Sequence, residues 1–434
     1  MTLDWFWPEG FYASMMILAF ALGAFALKLP IAVAMSGGAV LGAILAGEGI
    51  PVRHLVEGMF GYIDTILIIA TAMIFMKTVQ AIGLMESIAA WGIRRFRNYP
   101  VLLSIGVTLL IMFPGMLTGS STACCLTTGA LVAPVLMHLG VPRVKTGALI
   151  AIAALLGMIA PPINIPVMII GGGIDMPYVG FAVPLLAATM PLAVFAALLL
   201  AWPSLRRREG QNDEALEKEL ARMSSVPLTW RLCTPFAVLV VLMAGEQFMP
   251  QYFPFLGMPL QFLIASASAV FTGRRWNVLA SATEAIDDAL PVLGILMGVG
   301  MFIQVMTLNG VRGFVVISAL SIPEWALYLS IAVSIPAFGA ISSFGAASVL
   351  GVPFMFALLA KDQIITATAL ALIASLGDLV PPTALAGIFA GQVVGEKNYF
   401  KILKVCVVPA VAIALWGIAF IAYAGPLASW LRWV

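Results

Sequence analysis

Between Asp175 and Arg206 the chain runs 30 residues without a charge, "MPYVGFAVPLLAATMPLAVFAALLLAWPSL". A run of that length and character belongs in hydrocarbon. It is not isolated, since 62% of the 434 residues are hydrophobic and only 10% are charged, with a mean hydropathy of +1.07. So few charges cannot cover a water-soluble globule, and the sequence predicts an all-α polytopic membrane protein. Helical spans are expected near 11–29, 31–49, 62–84, 145–172, 178–203, 230–249, 256–273, 286–309, 363–395 and 400–427. Segments 100–139 and 324–360 each carry a small-polar interruption at their centre, and "MESIAAWGIRRFRNYP" and "VRGFVVISALSIPE" before them read as interfacial arms. The opening "MTLDWFWPEG" is acidic and aromatic, unlike the basic start of a cleaved signal peptide. Cys124, Cys125, Cys233 and Cys406 lie in or beside apolar segments and are read as reduced. A net charge of +2 gives no reason to invoke nucleic acid.

Basic residues orient the spans. With the 94–97 loop inside, inside segments hold Lys28, Arg94, Arg95, Arg97, Arg143 and Lys145. They also hold the basic residues of 204–231, Arg274, Arg275, Lys397, Lys401 and Lys404, which together make 17 of the 22. Arg53, Arg312, Lys361 and Arg432 fall outside, and Lys77 lies within a span. This asymmetry puts both termini on the outer side. The run "RRREGQNDEALEKELARMSS" becomes a cytoplasmic connector, expected as an amphipathic surface helix, and divides the chain into residues 1–203, 204–229 and 230–434. Lys77 is expected to snorkel or face a wet seam, with a partner-subunit carboxylate as the alternative. The aromatic cluster at 5–7, Trp430 and Trp433 reads as interfacial anchoring.

The two halves repeat. Thr146, Gly157, Pro161, Pro162 and Gly171 align with Thr366, Gly377, Pro381, Pro382 and Gly391, at an offset of 220 throughout. Upstream, "GSSTA" at 119–123 corresponds to "AISSFGAAS" at 340–348. By charge, hairpin 100–139 starts and ends inside, whereas hairpin 324–360 starts and ends outside. That is an inverted-topology repeat, the device by which secondary transporters alternate access to one site. A duplication kept only for folding is the alternative.

Each repeat breaks a span (145–172 and 363–395) with a double proline, which removes amide donors and frees carbonyls. In hydrocarbon such carbonyls must line a cavity or meet an ion. Free carbonyls and hydroxyls are hard oxygen ligands suited to Na⁺ and not to a transition metal, while half-helix N-termini suit a carboxylate. Gly119, Thr122, Ser342 and Gly345 are therefore the candidate substrate contacts. The tips are read as re-entrant and mid-membrane. The alternative is that Gly and Ser merely let two full spans pack closely. Asp378, between Gly377 and the second prolines, puts a carboxylate near mid-membrane at a half-helix end, where the helix dipole already disfavours an anion. It calls for Na⁺ or, failing that, a proton. A watery crevice or a helix cap is its structural alternative.

"GSSTA", "LLGMIAPPINIPVMIIGG" and "SLGDLVPPTALAGIFAGQ" resemble the large membrane subunit of tripartite ATP-independent periplasmic (TRAP) transporters over nearly the whole chain. The resemblance implies an elevator-type secondary transporter in the bacterial inner membrane, with a scaffold carrying a mobile domain of hairpins and broken helices. It implies Na⁺ coupling with no other cofactor. It further implies a small four-span membrane subunit, a periplasmic substrate-binding protein and a small organic acid, such as a C4-dicarboxylate or sialic acid, as substrate. Carried across, one cation site would use Ser120, Ser121, Gly157, Pro162 and Asn164. The other would use Ser342, Ser343, Gly377, Pro382 and Thr383. Asp378, "CC" after the first tip and "APPINIP" depart from the family pattern. A stand-alone Na⁺/dicarboxylate carrier of the divalent-anion type is the rival reading, and a channel is a remoter one. An intramembrane protease fares worse. The sequence has no His-Glu-x-x-His, and His138 lies about 27 Å along a helix from the tip serines.

Overall fold

The computed structural model describes residues 7–207, 213–223 and 226–431. Those residues form helices joined by turns and short loops, with no strand among them. Helices α1 (Pro8–Ala26), α2 (Ile31–Leu45), α3 (Val52–Phe60), α4 (Ile63–Ala81) and α5 (Leu84–Phe96) lead into a hairpin of α6 (Pro100–Thr118) and α7 (Ser121–His138). The broken span is α8 (Arg143–Ile159) and α9 (Ile165–Gly173), followed by α10 (Ala182–Leu200), the short α11 (Trp202–Arg207) and the connector helix α12 (Asp213–Met223). The second half holds α13 (Thr234–Phe248), α14 (Gly257–Thr272), α15 (Val278–Leu308) and the arm α16 (Val311–Leu320). Its hairpin is α17 (Glu324–Gly339) and α18 (Ser343–Ala357), its broken span α19 (Gln363–Leu379) and α20 (Leu385–Val394), and α21 (Tyr399–Ala422) and α22 (Ala424–Leu431) end it. Seven of these are long and apolar enough to cross a membrane, namely α1, α4, α6, α7, α10, α15 and α21.

Local chemistry explains the element ends. Helix α6 has a proline in its first turn and stops at Gly119, whose φ of 64° is left-handed. Each second hairpin leg opens on a serine cap and then takes one π-helical stretch, Cys125–Gly129 in α7 and Ala347–Gly351 in α18, at the same offset of 222 as the capping serines. Both double prolines contain a cis peptide.

Two bodies emerge from the packing. Helix α15 lies along α2, α3 and α4, with α1 against α2 and α14 against α4. Glycines permit this closeness: a Cβ on Gly298 would meet the Ala32 carbonyl oxygen at 2.7 Å. The hairpins and broken spans form the other body, which α10 and α21 flank. Within it the two broken spans run antiparallel. Arg143, at the start of α8, donates to the Gly395 carbonyl just past α20 at 3.3 Å. At the opposite end, Met176 and Val179 line one hollow with Lys361 and Ile364, which lie beside the start of α19.

Several expectations are revised. The span expected at 286–309 begins at Val278, and its Glu284 and Asp288 have a partner from another helix. That partner is Lys77, which finds carboxylates within this chain and borders a cleft between helices. It lies 2.5 Å from Glu284 and 2.6 Å from Asp288. Helix α3 occupies a stretch read only as a loop. The connector does form a helix, and its Glu217 pairs with Arg94 (3.3 Å) and Arg97 (3.5 Å) of the first arm. All four cysteines are free, with Cys124, Cys125 and Cys406 buried. Trp7 and Trp430 are exposed, while Trp5, Arg208, Arg432 and Trp433 lie outside the described residues.

Candidate functional site

The hairpin tips approach each other from opposite ends of the broken spans and meet at Asp378. Ser121 Oγ donates to its Oδ2, and Ser343 Oγ donates to its Oδ1 at 2.7 Å. All three side chains are buried, Asp378 to 3% exposure. No Lys, Arg or His pairs with this carboxylate among the described residues. Two hydroxyl donors face its oxygens, and such hydrogen bonds are the stronger kind where the acceptor is ionised.

Around this centre, most expected site residues have structural work as well. Ser120 and Ser342 cap their helices, accepting from the amides of Ala123 (3.2 Å) and Gly345 (3.1 Å). Asn164 bridges the first break. Its Nδ2 donates to the Ile159 carbonyl at 2.8 Å and its Oδ1 accepts from the Val167 amide at 2.9 Å. One side chain thus satisfies a free carbonyl of α8 and a free amide of α9. The carbonyl of Pro162 accepts from Tyr178 Oη at 3.0 Å, whereas Pro382 is exposed. Each break is also pinned to its own tip. The Ile163 amide donates to the Met116 carbonyl at 3.1 Å, and in the second half Thr383 Oγ1 donates to the Ala340 carbonyl at 2.6 Å.

Gly157 and Gly377 are where the hairpin legs cross the broken spans. A Cβ on Gly157 would lie 2.5 Å from the Met112 carbonyl oxygen, and one on Gly377 would lie 2.5 Å from the Gly339 Cα. Their crossing partners, Gly115 and Gly339, were not singled out from sequence, although both precede the tips at comparable distances. Sequence reasoning also assigned Ser121 and Ser343 to separate groups. The structure brings both to one carboxylate. Opposed hairpins whose tips lie at similar distances from their breaks can converge, and that was the signal available.

Of the four candidate substrate contacts, Thr122 borders a cleft of about 270 Å³ with Ser120, facing Met73, Lys77 and Gln80 of α4 and Asp288 of α15. Gly119 is buried against Ile165, and Ser342 and Gly345 belong to the other tip, away from this cleft. The cleft therefore joins a polar hairpin tip to the neighbouring helical body.

The fold matches solved transporters. It superposes on the YdaH transporter of Alcanivorax borkumensis with a TM-score of 0.61 and 17% identity, covering 86% of this chain and 87% of that one. It also matches MtrF of Neisseria gonorrhoeae, described with a class of antimetabolite efflux pumps, with a TM-score of 0.61 and 12% identity over 96% and 94% of the two chains. At these identities the likeness establishes the fold alone. No curated protein matches by sequence. The family described as "Tripartite ATP-independent periplasmic transporter, DctM component" matches residues 16–426. With its opposed hairpins, paired proline breaks and near-complete sequence match, the chain belongs to the DctM component family of tripartite ATP-independent periplasmic transporters.

Proposed function

We propose that this chain is the membrane permease of a Na⁺-driven importer of a small organic anion, which a periplasmic binding protein delivers and which a small four-span subunit helps to carry. The orientation proposed is that of the basic-residue asymmetry, with the arm bearing Arg94, Arg95 and Arg97 at the cytoplasmic face of the inner membrane. The observation that carries the reading is Asp378, which takes one serine from each tip.

A buried carboxylate without a cationic side chain is costly in hydrocarbon and calls for a cation. Placed between the two tips, that cation couples them. When it binds, hydroxyls and carboxylate gather around it. When it leaves, the carboxylate and its two donors must rearrange. The carbonyls at the breaks and the serines supply further hard oxygens suited to Na⁺. The cleft beside Ser120 and Thr122 is where a substrate would lie between the hairpin body, which would move as an elevator, and the helices around α15, which would stay fixed.

Reconstitution tests the proposal. The chain alone in liposomes with a Na⁺ gradient should show no uptake, and uptake should appear when the small subunit and loaded binding protein are added. Robust uptake by the chain alone would move it to the stand-alone Na⁺/dicarboxylate carriers. Uptake indifferent to Na⁺ but driven by a pH gradient would replace Na⁺ with a proton.

A further inference from the structure

Two donors converge on the end of α9, one from α4 in the body around α15 and one from the second arm, which leads from α15 to the second hairpin. Tyr62, at the start of α4, donates its hydroxyl to the Ile169 carbonyl at 2.9 Å, and its ring packs under Gly172. Arg312, at the start of the second arm, donates Nη2 to the Gly173 carbonyl and Nη1 to Thr307 Oγ1 at 3.3 Å. Its guanidinium also stands 4.2 Å from the ring centroid of Phe356, in the second hairpin. The last turn of a helix holds carbonyls without helical partners and the negative end of its dipole. The guanidinium meets that need at Gly173, from the arm that links α15 to the second hairpin, while the phenol reaches the Ile169 carbonyl one turn earlier from across the seam between the two bodies.

We infer that Tyr62 and Arg312 form a latch that holds one access state, with the seam sealed at the Ile169–Gly173 end and open at the other. The acceptors are main-chain oxygens, so the latch reads position and not side-chain identity. If α9 slides along α4, both donors lose their acceptors together. The open end is the cleft between α4, α15 and the first tip, which extends to Gln80. Gln80 lies about 27 Å along α4 from Tyr62. In the orientation proposed above, this is the cytoplasmic end, so the latch holds the inward-facing state. This rests on the elevator reading of the preceding section.

Cysteine accessibility in the reconstituted complex tests it. Cys233, the partly exposed native thiol, is replaced by Ser, while Cys124, Cys125 and Cys406 are buried. Gln80→Cys then reports on the cleft. Ile66→Cys, one turn beyond Tyr62 and 7% exposed as isoleucine, reports on the sealed end. A membrane-impermeant maleimide is applied to each side in turn. Tyr62→Phe removes a single oxygen and is studied alone and with Arg312→Gln. Each variant should slow labelling of Gln80→Cys about threefold or more and speed that of Ile66→Cys by a similar factor, as expected from losing one hydrogen bond. Unchanged rates at both reporters, or slowing at Gln80→Cys without a gain at Ile66→Cys, would overturn the latch. The two readings fail separately. Transport with unmoved rates sinks the latch alone, and reciprocal shifts in a complex that does not import support the latch and sink the importer.

Discussion

Gly377→Ala isolates the link between helix crossing and cation coupling. A methyl at that position would sit 2.5 Å from Gly339 Cα, 2.6 Å from its carbonyl carbon and 2.7 Å from its oxygen. Ordinary carbon contacts lie at about 3.5–4.0 Å, so α17 must retreat by about 1 Å. The obstacle is backbone, which cannot rotate aside as a side chain would. Ser343 lies four residues beyond Gly339, and its hydroxyl is 2.7 Å from Asp378. The same retreat carries it to about 3.7 Å, beyond hydrogen-bond length. Losing a hydrogen bond to a charged group costs about 1.5–3 kcal/mol, or roughly 10-fold to 150-fold in half-saturating Na⁺. Overpacking costs stability by about 1–3 kcal/mol in addition. The matched control is Gly106→Ala in α6, where an added Cβ meets nothing within 4 Å. That change should be neutral or mildly stabilising, since Ala favours a helix interior over Gly by about 1 kcal/mol. Na⁺-dependent uptake in proteoliposomes, with thermal unfolding of each variant, measures both effects. Wild-type Na⁺ dependence in Gly377→Ala would refute the argument that crossing distance sets tip position.

Three further outcomes are expected. Asp378→Asn should abolish steep Na⁺ dependence of uptake measured at two pH values, because an amide replaces the charge that both tips share, and an unchanged profile would remove Asp378 from coupling. Asn164→Ala should lower the thermal midpoint as well as Na⁺ activation, since it orphans a buried amide and a buried carbonyl at about 1–3 kcal/mol each, and a stability loss with intact Na⁺ dependence would assign Asn164 to capping alone. Lys77→Met should lower the thermal midpoint, since Lys77 is itself only 17% exposed and two carboxylates of one span lose their cation, and an unchanged midpoint would show that the pair adds nothing.

Sequence alone establishes the membrane class, the helical architecture, the two interrupted hairpins and the two proline breaks. These are written in short windows: apolar run length, small-polar tips, and double prolines at a constant offset. It also marked Asp378 as unusual, since a carboxylate beside a mid-span break is costly wherever it lies. What it could not determine was who meets whom. Ser121 and Asp378 are 257 residues apart, and Lys77 is 207 from Glu284. A local window also cannot see that Glu284 and Asp288 have a lysine on another helix as their partner. Asn164, expected as an ion ligand, also spans the first break with both ends of its amide bonded to backbone, a role that sequence alone did not show. The convergence of both tips on one carboxylate, and the docking of Tyr62 and Arg312 on one helix end, depend on the antiparallel placement of the broken spans. That placement is a property of the packed whole, set by glycine crossings and buried area distributed across the chain, so no local stretch of sequence specifies it.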